Sequence, residues 1–155
     1  MKNDELIHHG IKGQKWGVRR YQNKDGSLTA EGKKRKLKSL GQLSMDTKQV
    51  MLGKTPSTQY KWHDKDGNTV AEFKVWDWWD GKNVSDLEIN KKYRGLGLSY
   101  QLLDYAVKTC GAKNLAVRKN NAIAKHVYDK YGFETTETDD EYYYMSLKET
   151  KNAEN

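Results

Sequence analysis

One cysteine, one proline and two phenylalanines are all that 155 residues contain of those types, and each scarcity removes a class of protein. A single cysteine, Cys110, rules out an internal disulfide. The chain is therefore not a small secreted scaffold stapled by bridges, and a reducing compartment is expected. Cys110 follows Leu102, Leu103, Ala106 and Val107 at helical spacing, which reads as a core thiol rather than a nucleophile. No apolar run approaches the roughly 20 residues of a membrane span, and MKNDELIHHG has no apolar centre of the kind a secretory leader needs. The expectation is a soluble cytoplasmic protein. Histidines are few as well: His8 and His9 are adjacent without ligand spacing, and His63 and His126 read as surface residues, so no metal site is expected.

An excess of either charge is missing from most of the chain. Residues 1–40 hold 11 Lys/Arg against 4 Asp/Glu, whereas residues 41–155 hold 17 of each, so the net +7 sits entirely in the first quarter. A basic arm on a neutral domain is the pattern of a chain that touches nucleic acid or an acidic protein surface. Within the arm, Lys12, Lys15, Arg19 and Arg20 alternate with Trp16 and Tyr21, and Gly10, Gly13 and Gly17 oppose a stable helix. These six cationic and aromatic residues are the candidate partner-binding set. From Thr29 onward an N-cap, Glu31 in the first turn and Lys33 to Lys38 further on predict a short basic helix.

What remains is 35% hydrophobic and 32% charged, enough for one domain with a small core. Pro56 reads as the boundary before it. Gln59 to His63 and Thr69 to Trp78 flank the turn DKDG and predict a hairpin; Asp80-Gly81 leads into a third strand, Val84 to Asn90. An amphipathic helix from about Leu98 to Thr109 follows, then a strand at Asn114 to Arg118, which implies a parallel pair joined by a right-handed crossover. A second helix spans Asn121 to Tyr131, and the tail reads as two antiparallel strands around Asp139-Asp140. The predicted order is βββαβαββ: an α+β (α/β) mixed central sheet with packed helices. In VWDWWDG, two of the three tryptophan rings are expected in the core.

The stretch KYRGLGLSYQLL lies where the third strand ends and the first crossover helix begins. Ligands of open α/β sheets bind outside the carboxyl ends of parallel strands. Unpaired N–H groups and the positive end of a helix dipole there favour an anion, with pyrophosphate the best-matched guest. About 25 residues later comes NAIAKHVYDKYGF. Together these stretches resemble the two cofactor motifs of the GNAT superfamily of N-acetyltransferases. Arg94, Gly97 and Ser99 occupy the Arg/Gln-x-x-Gly-x-Gly/Ala positions, with Ser99 departing from the usual Gly or Ala, and Asn121, Ala124, Tyr128, Gly132 and Phe133 occupy the second motif.

That resemblance, over residues 59–148, implies an acyltransferase in which an amine attacks acetyl-CoA directly. The implied cofactor contacts are Leu87 and Ile89 on the strand, Arg94, Gly95, Leu96, Gly97, Leu98 and Ser99 in the turn, and Asn121, Ala124 and Tyr128 on the later helix. Tyr128 would protonate the departing thiolate, or would be a core ring. Asn121 would hold the pantetheine arm, or cap its helix, or both. Arg94 would meet phosphate, or a surface carboxylate. Asp86 and Glu88 alternate with Leu87 and Ile89, so either becomes a candidate general base if their face is buried. The implied domains are a basic arm at 1–36, a helical connector at 37–57, a GNAT-like domain at 58–150 and a disordered tail at 151–155. The connector has room for about one of the two helices that shape the acceptor pocket in that family.

HHGIKGQKWGVRRYQNKDGSLTAEGKKR resembles a module found at the start of phage and prophage proteins of Gram-positive bacteria, several of them virion-associated. It implies an address that docks the domain on a phage structural protein or nucleic acid in the bacterial host. Two functions follow: an N-acetyltransferase acting on a protein or small-molecule amine, or a catalytically silent module of that fold carried by the arm.

Overall fold

A computed structural model of the chain describes residues 20–149. Lys12, Lys15, Trp16 and Arg19, and the expected tail at 151–155, lie outside the described residues. The chain divides into two compact units, Met1–Ser39 and Leu40–Asn155.

In the first unit, a tight turn closed by the Gln22–Leu28 bridge leads into helix α1 (Ala30–Ser39). Thr29 caps it as its sequence position predicts: the Thr29 hydroxyl accepts from Gly32 N–H at 3.1 Å and donates to the Arg20 carbonyl at 2.6 Å. Two guanidinium groups lie over the Tyr21 ring, Arg20 at 5.4 Å and Arg35 at 4.7 Å from its centroid. Gly32 is required here, because a Cβ would collide with the Tyr21 carbonyl.

The second unit is one seven-stranded sheet in the order β1-β2-β3-β4-β5-β7-β6. Its strands are β1 (Ser44–Leu52), β2 (Thr55–His63), β3 (Thr69–Trp78), β4 (Gly81–Ile89), β5 (Ala112–Arg118), β6 (Phe133–Thr138) and β7 (Tyr142–Leu147). Helix α2 (Leu98–Asp104) connects β4 to β5, and helix α3 (Ala122–Tyr131) connects β5 to β6. All neighbours are antiparallel except β4 and β5, the parallel pair that the strand-helix-strand pattern requires.

Phe73, Leu98, Leu102, Leu103, Phe133, Met145 and Val70 are fully buried and form the centre of the core. On one sheet face Tyr60 stacks on Phe73 at 4.9 Å. Tyr105 meets Tyr60, Trp62 and Phe73 edge-on. These contacts seat the helical crossover, and with it the turn that precedes it. The crossover ends in a π-helical stretch, Tyr105–Thr109, rather than continuing as α-helix. Cys110 is half-buried after it, and burial pushes its thiol pKa up, which favours the protonated thiol.

Three expectations need correction. Residues 37–57 are not a helical connector: α1 ends at Ser39 and Ser44–Leu52 is an edge strand, paired with β2 from Ser44–His63 to Leu52–Thr55. Pro56 is no boundary; it sits in β2 beside the hairpin turn, near the strand start where a missing N–H costs least. Nor are two of the clustered tryptophans core residues. Trp76 is half-buried with Trp78 edge-on to it at 5.2 Å, while Trp78 is 52% and Trp79 86% exposed at the β3–β4 hairpin tip.

Candidate active site

Strand β4 changes character halfway along. Its first part pairs with β5 through Lys82–Ala112, Asn83–Asn114 and Val84–Leu115, and the pairing stops there. Against β3, Lys74 faces Ser85 and Glu72 faces Glu88, so the two residues Asp86 and Leu87 stand opposite Phe73 alone. This is a β-bulge, and Asp86 carries it at φ 50°, a left-handed conformation that Asp tolerates better than most side chains. A bulge leaves its extra residue outside the ladder. Main-chain groups around Leu87 are thus released where β4 and β5 separate.

The separation opens a cleft of about 700 Å³. Its walls bring together Asp86, Leu87, Glu88 and Ile89 from β4, Arg94 and Gly95 from the turn before α2, Ser99 from the first turn of α2, and Asn121, Ala124 and Tyr128 from α3 and its N-cap. Leu96, Gly97 and Leu98 do not line it. Leu96 and Leu98 turn their side chains into the core, 6% and 1% exposed, leaving only their main chain for any ligand.

The turn is built for main-chain display. A short 3₁₀ segment, Lys91–Tyr93, follows β4; Asn90 caps it by accepting from Lys92 N–H at 3.2 Å. Gly95 and Gly97 then take φ 75° and 79°, values at which any other residue is strained. A Cβ on either would meet no protein atom within 4 Å, so the glycines answer to backbone conformation and face open space. Among the described residues, the N–H groups of Gly95, Leu96 and Gly97 take no main-chain partner, and Gly97 caps α2 without a side-chain hydrogen bond. Three donors at a helix start, unpartnered beside an open cleft, suit an anion. Arg94 is exposed and folds back, its Nε donating to the Ile89 carbonyl at 3.0 Å. One guanidinium edge thereby braces the end of β4.

Helix α3 supplies the opposite wall. Asn121 is its N-cap, accepting from Ala124 N–H at 3.1 Å, and its side chain also lines the cleft. Tyr128 is buried and lies edge-on to Phe133 at 6.4 Å, yet it too borders the cleft. Burial pushes its phenol pKa up, so the proton is held tightly. Tyr131 donates to Asp104 at 2.7 Å, tying α3 to α2.

The carboxylate face is not buried. Asp86 and Glu88 are both exposed, so the burial that would single out either as a base is absent. They differ in their partners: Lys74 Nζ reaches Asp86 at 2.7 Å, while Glu88 has no ion-pair partner among the described residues. Four cleft residues lay beyond sequence reasoning. Glu72 and Lys74 arrive from β3 through the sheet register; Ile123, 82% exposed, and Val127 come from α3, where unassigned positions within the quoted second motif were the available signal. Glu72 and Glu88, directly opposed across strands, also border a neighbouring pocket of about 360 Å³ with Asn90, Lys91 and Arg94.

The family described as Acetyltransferase (GNAT) domain matches residues 43–146, which takes in β1. A family of unknown function, DUF7211, matches residues 1–23. A Bacillus subtilis (strain 168) protein, provisionally named for N-acetylating an alanine of ribosomal protein bS18, is 30% identical over 88 residues. These residues are 54% of this chain and 58% of that protein, so the chain spans less than two thirds of its relative. Among solved structures, an IAA acetyltransferase from Bacillus cereus ATCC 14579 superposes with a TM-score of 0.56 at 10% identity, covering 68% of this chain and 99% of that one. The spermidine/spermine N-acetyltransferase SpeG from Vibrio cholerae, solved with manganese ions, gives 0.54 at 12% identity, covering 70% and 94%. Likeness at these identities establishes the fold.

Proposed function

Because the chain belongs to the GNAT acetyltransferase family, we propose that its cleft binds acetyl-CoA and that the protein N-acetylates an amine by direct acyl transfer. One observation carries this reading: Arg94 and Gly95 of the glycine turn, the bulge in β4 and Tyr128 all border one opening between β4 and β5. Those residues fit the group. Gly95, Leu96 and Gly97 offer main-chain donors to a pyrophosphate, with the free edge of Arg94 beside them. Main-chain groups of Leu87 and Ile89 offer partners to an amide-bearing arm, and Asn121 a polar side chain opposite. The cleft face of Ser99 offers a hydroxyl where the family usually has none.

When bound, acetyl-CoA supplies a thioester carbonyl that an amine attacks without an acyl-enzyme. Tyr128, kept protonated by burial, has a proton to give to a leaving thiolate. N–H groups freed at the bulge are suited to a carbonyl oxygen gathering negative charge. On the acceptor side, Glu88 stands directly opposite Glu72, which Lys61 Nζ already meets at 3.3 Å, and a further cation over Glu88 would complete the pairing of the two carboxylates. A protonated amine is such a cation. Glu88, with no lysine on it, is the better proton acceptor; Asp86 is already engaged by Lys74. The basic arm would act as an address for an acidic partner, a phage structural protein or a nucleic acid, with Tyr21 and the guanidinium groups of Arg20 and Arg35 over its ring as an anchor.

A thermal-unfolding titration tests the cofactor. Acetyl-CoA at a hundredfold over its Kd should stabilise the fold by about 2.7 kcal/mol, and no shift would leave a silent module of this fold carried by its arm. Given binding, Tyr128→Phe should lower kcat by about 10²-fold with Kd unchanged. Equal loss of both would make Tyr128 a packing residue.

A further inference from the structure

The cofactor turn is fastened to the neighbouring β2–β3 hairpin by a buried polar contact. Asp64 lies in the β2–β3 hairpin turn, 29 residues before Tyr93, and both are 8% exposed. The Tyr93 hydroxyl donates to Asp64 Oδ2 at 3.0 Å. Asp64 also accepts from Asp66 N–H at 2.9 Å, from Asn68 N–H at 3.0 Å and from the Asn68 side-chain amide at 3.2 and 3.3 Å. Burial pushes the Asp64 carboxyl up, but the hydrogen bonds from Asn68, Tyr93 and Asp66 outweigh it, and its pKa falls below the ordinary value. An ionised carboxylate is therefore fixed under Tyr93.

Tyr93 is the residue immediately before Arg94 and the two positive-φ glycines. A second tie runs parallel to it: Asn90 N–H donates to the Val70 carbonyl and Asn90 Nδ2 to the Thr69 carbonyl, at 2.9 and 3.2 Å. Two glycines give the turn great freedom, and freedom lost on binding weakens affinity. A turn anchored on its amino side has less of it to lose.

Resting on the acetyl-CoA reading above, we propose that Asp64 and Tyr93 are positioning residues: the Tyr93–Asp64 hydrogen bond presets the main-chain donors of Gly95 to Gly97 for phosphate. The contact acts through backbone placement, and neither side chain touches the cofactor.

Tyr93→Phe removes the hydroxyl and nothing else. Isothermal titration with CoA should show a five- to tenfold weaker Kd, and the acetyl-CoA KM should rise alongside it while kcat stays within twofold. Amide hydrogen exchange at residues 94–97 of the ligand-free variant should quicken. Asp64→Asn keeps an acceptor for Tyr93 and should restore most of the affinity that Asp64→Ala loses; Tyr93→Phe added to Asp64→Ala should cost nothing more. Val75→Ala, which thins the core away from the turn, is the stability control and should leave Kd unaltered. A Tyr93→Phe variant that binds CoA like the parent overturns the positioning role alone. A parent chain that binds no CoA overturns both this role and the reading beneath it.

Discussion

The two halves of β4 obey different rules although they are one strand of nine residues. From Lys82 to Val84 it is paired on both sides, and Val84 is 3% exposed, a central strand held by ladder and core. From Asp86 to Ile89 it keeps β3 but loses β5, turns through a left-handed Asp, and its side chains border the cleft. Stability resides in the first half and candidate chemistry in the second. A parallel sheet has its main-chain donors occupied; only where two strands part can backbone polar groups serve a ligand without breaking the fold.

The sharpest way to break that division is at the turn that closes the second half. Gly97→Val places a β-branched residue at φ 79°. Strain of about 1–2 kcal/mol is expected, and no protein atom lies within 4 Å of the new Cβ. The chain should therefore still fold, while CoA affinity falls by about 100-fold, the worth of one or two charge-assisted hydrogen bonds. Calorimetric titration beside a melting curve reads both. A large loss of folding with affinity intact would mean that the turn serves the scaffold.

Val84→Ala probes the other half. Two buried methyl groups lost between Val75 and Leu115 should destabilise the domain by about 2 kcal/mol in urea unfolding, with CoA affinity preserved. Weakened binding would show that the halves are mechanically coupled and that β4 is one functional unit.

Much of this was legible because local chemistry and tertiary structure agree. Asp66-Gly67 and Asp80-Gly81 mark turns that the fold uses, and the strand, glycine turn and helix from Leu87 to Leu103 announce the parallel crossover. Both motif helices were legible for the same reason, their buried faces repeating at helical spacing. Strand β1 was not. It is an edge strand with mostly exposed side chains, so SMDTKQVML carries no alternation to read, and only pairing with β2 defines it. The bulge was hidden too: Asp86 and Glu88 alternate correctly with Leu87 and Ile89, and the extra residue shows only against the register of β3. Lys74 and Glu72 entered the cleft by that same register. Exposure of Trp78 and Trp79 ran against their bulk, since a hairpin tip has no neighbouring layer to receive them.

The smallest expected effect separates the two cleft carboxylates. Asn tolerates the left-handed conformation about as well as Asp, so Asp86→Asn should preserve the bulge and lose only the ion pair with Lys74. That pair is partly solvated, the Asp86 side chain being 53% exposed, and such pairs contribute about 0.2–1 kcal/mol. Melting should barely move, and kcat/KM should change by less than about fivefold, the equivalent of 1 kcal/mol. Glu88→Gln should cost far more activity at equal stability, because Glu88 has no cation on it and faces Glu72 across the strand pair. If Asp86→Asn were the more damaging change, proton transfer would belong to the bulge itself and not to the carboxylate that faces Glu72.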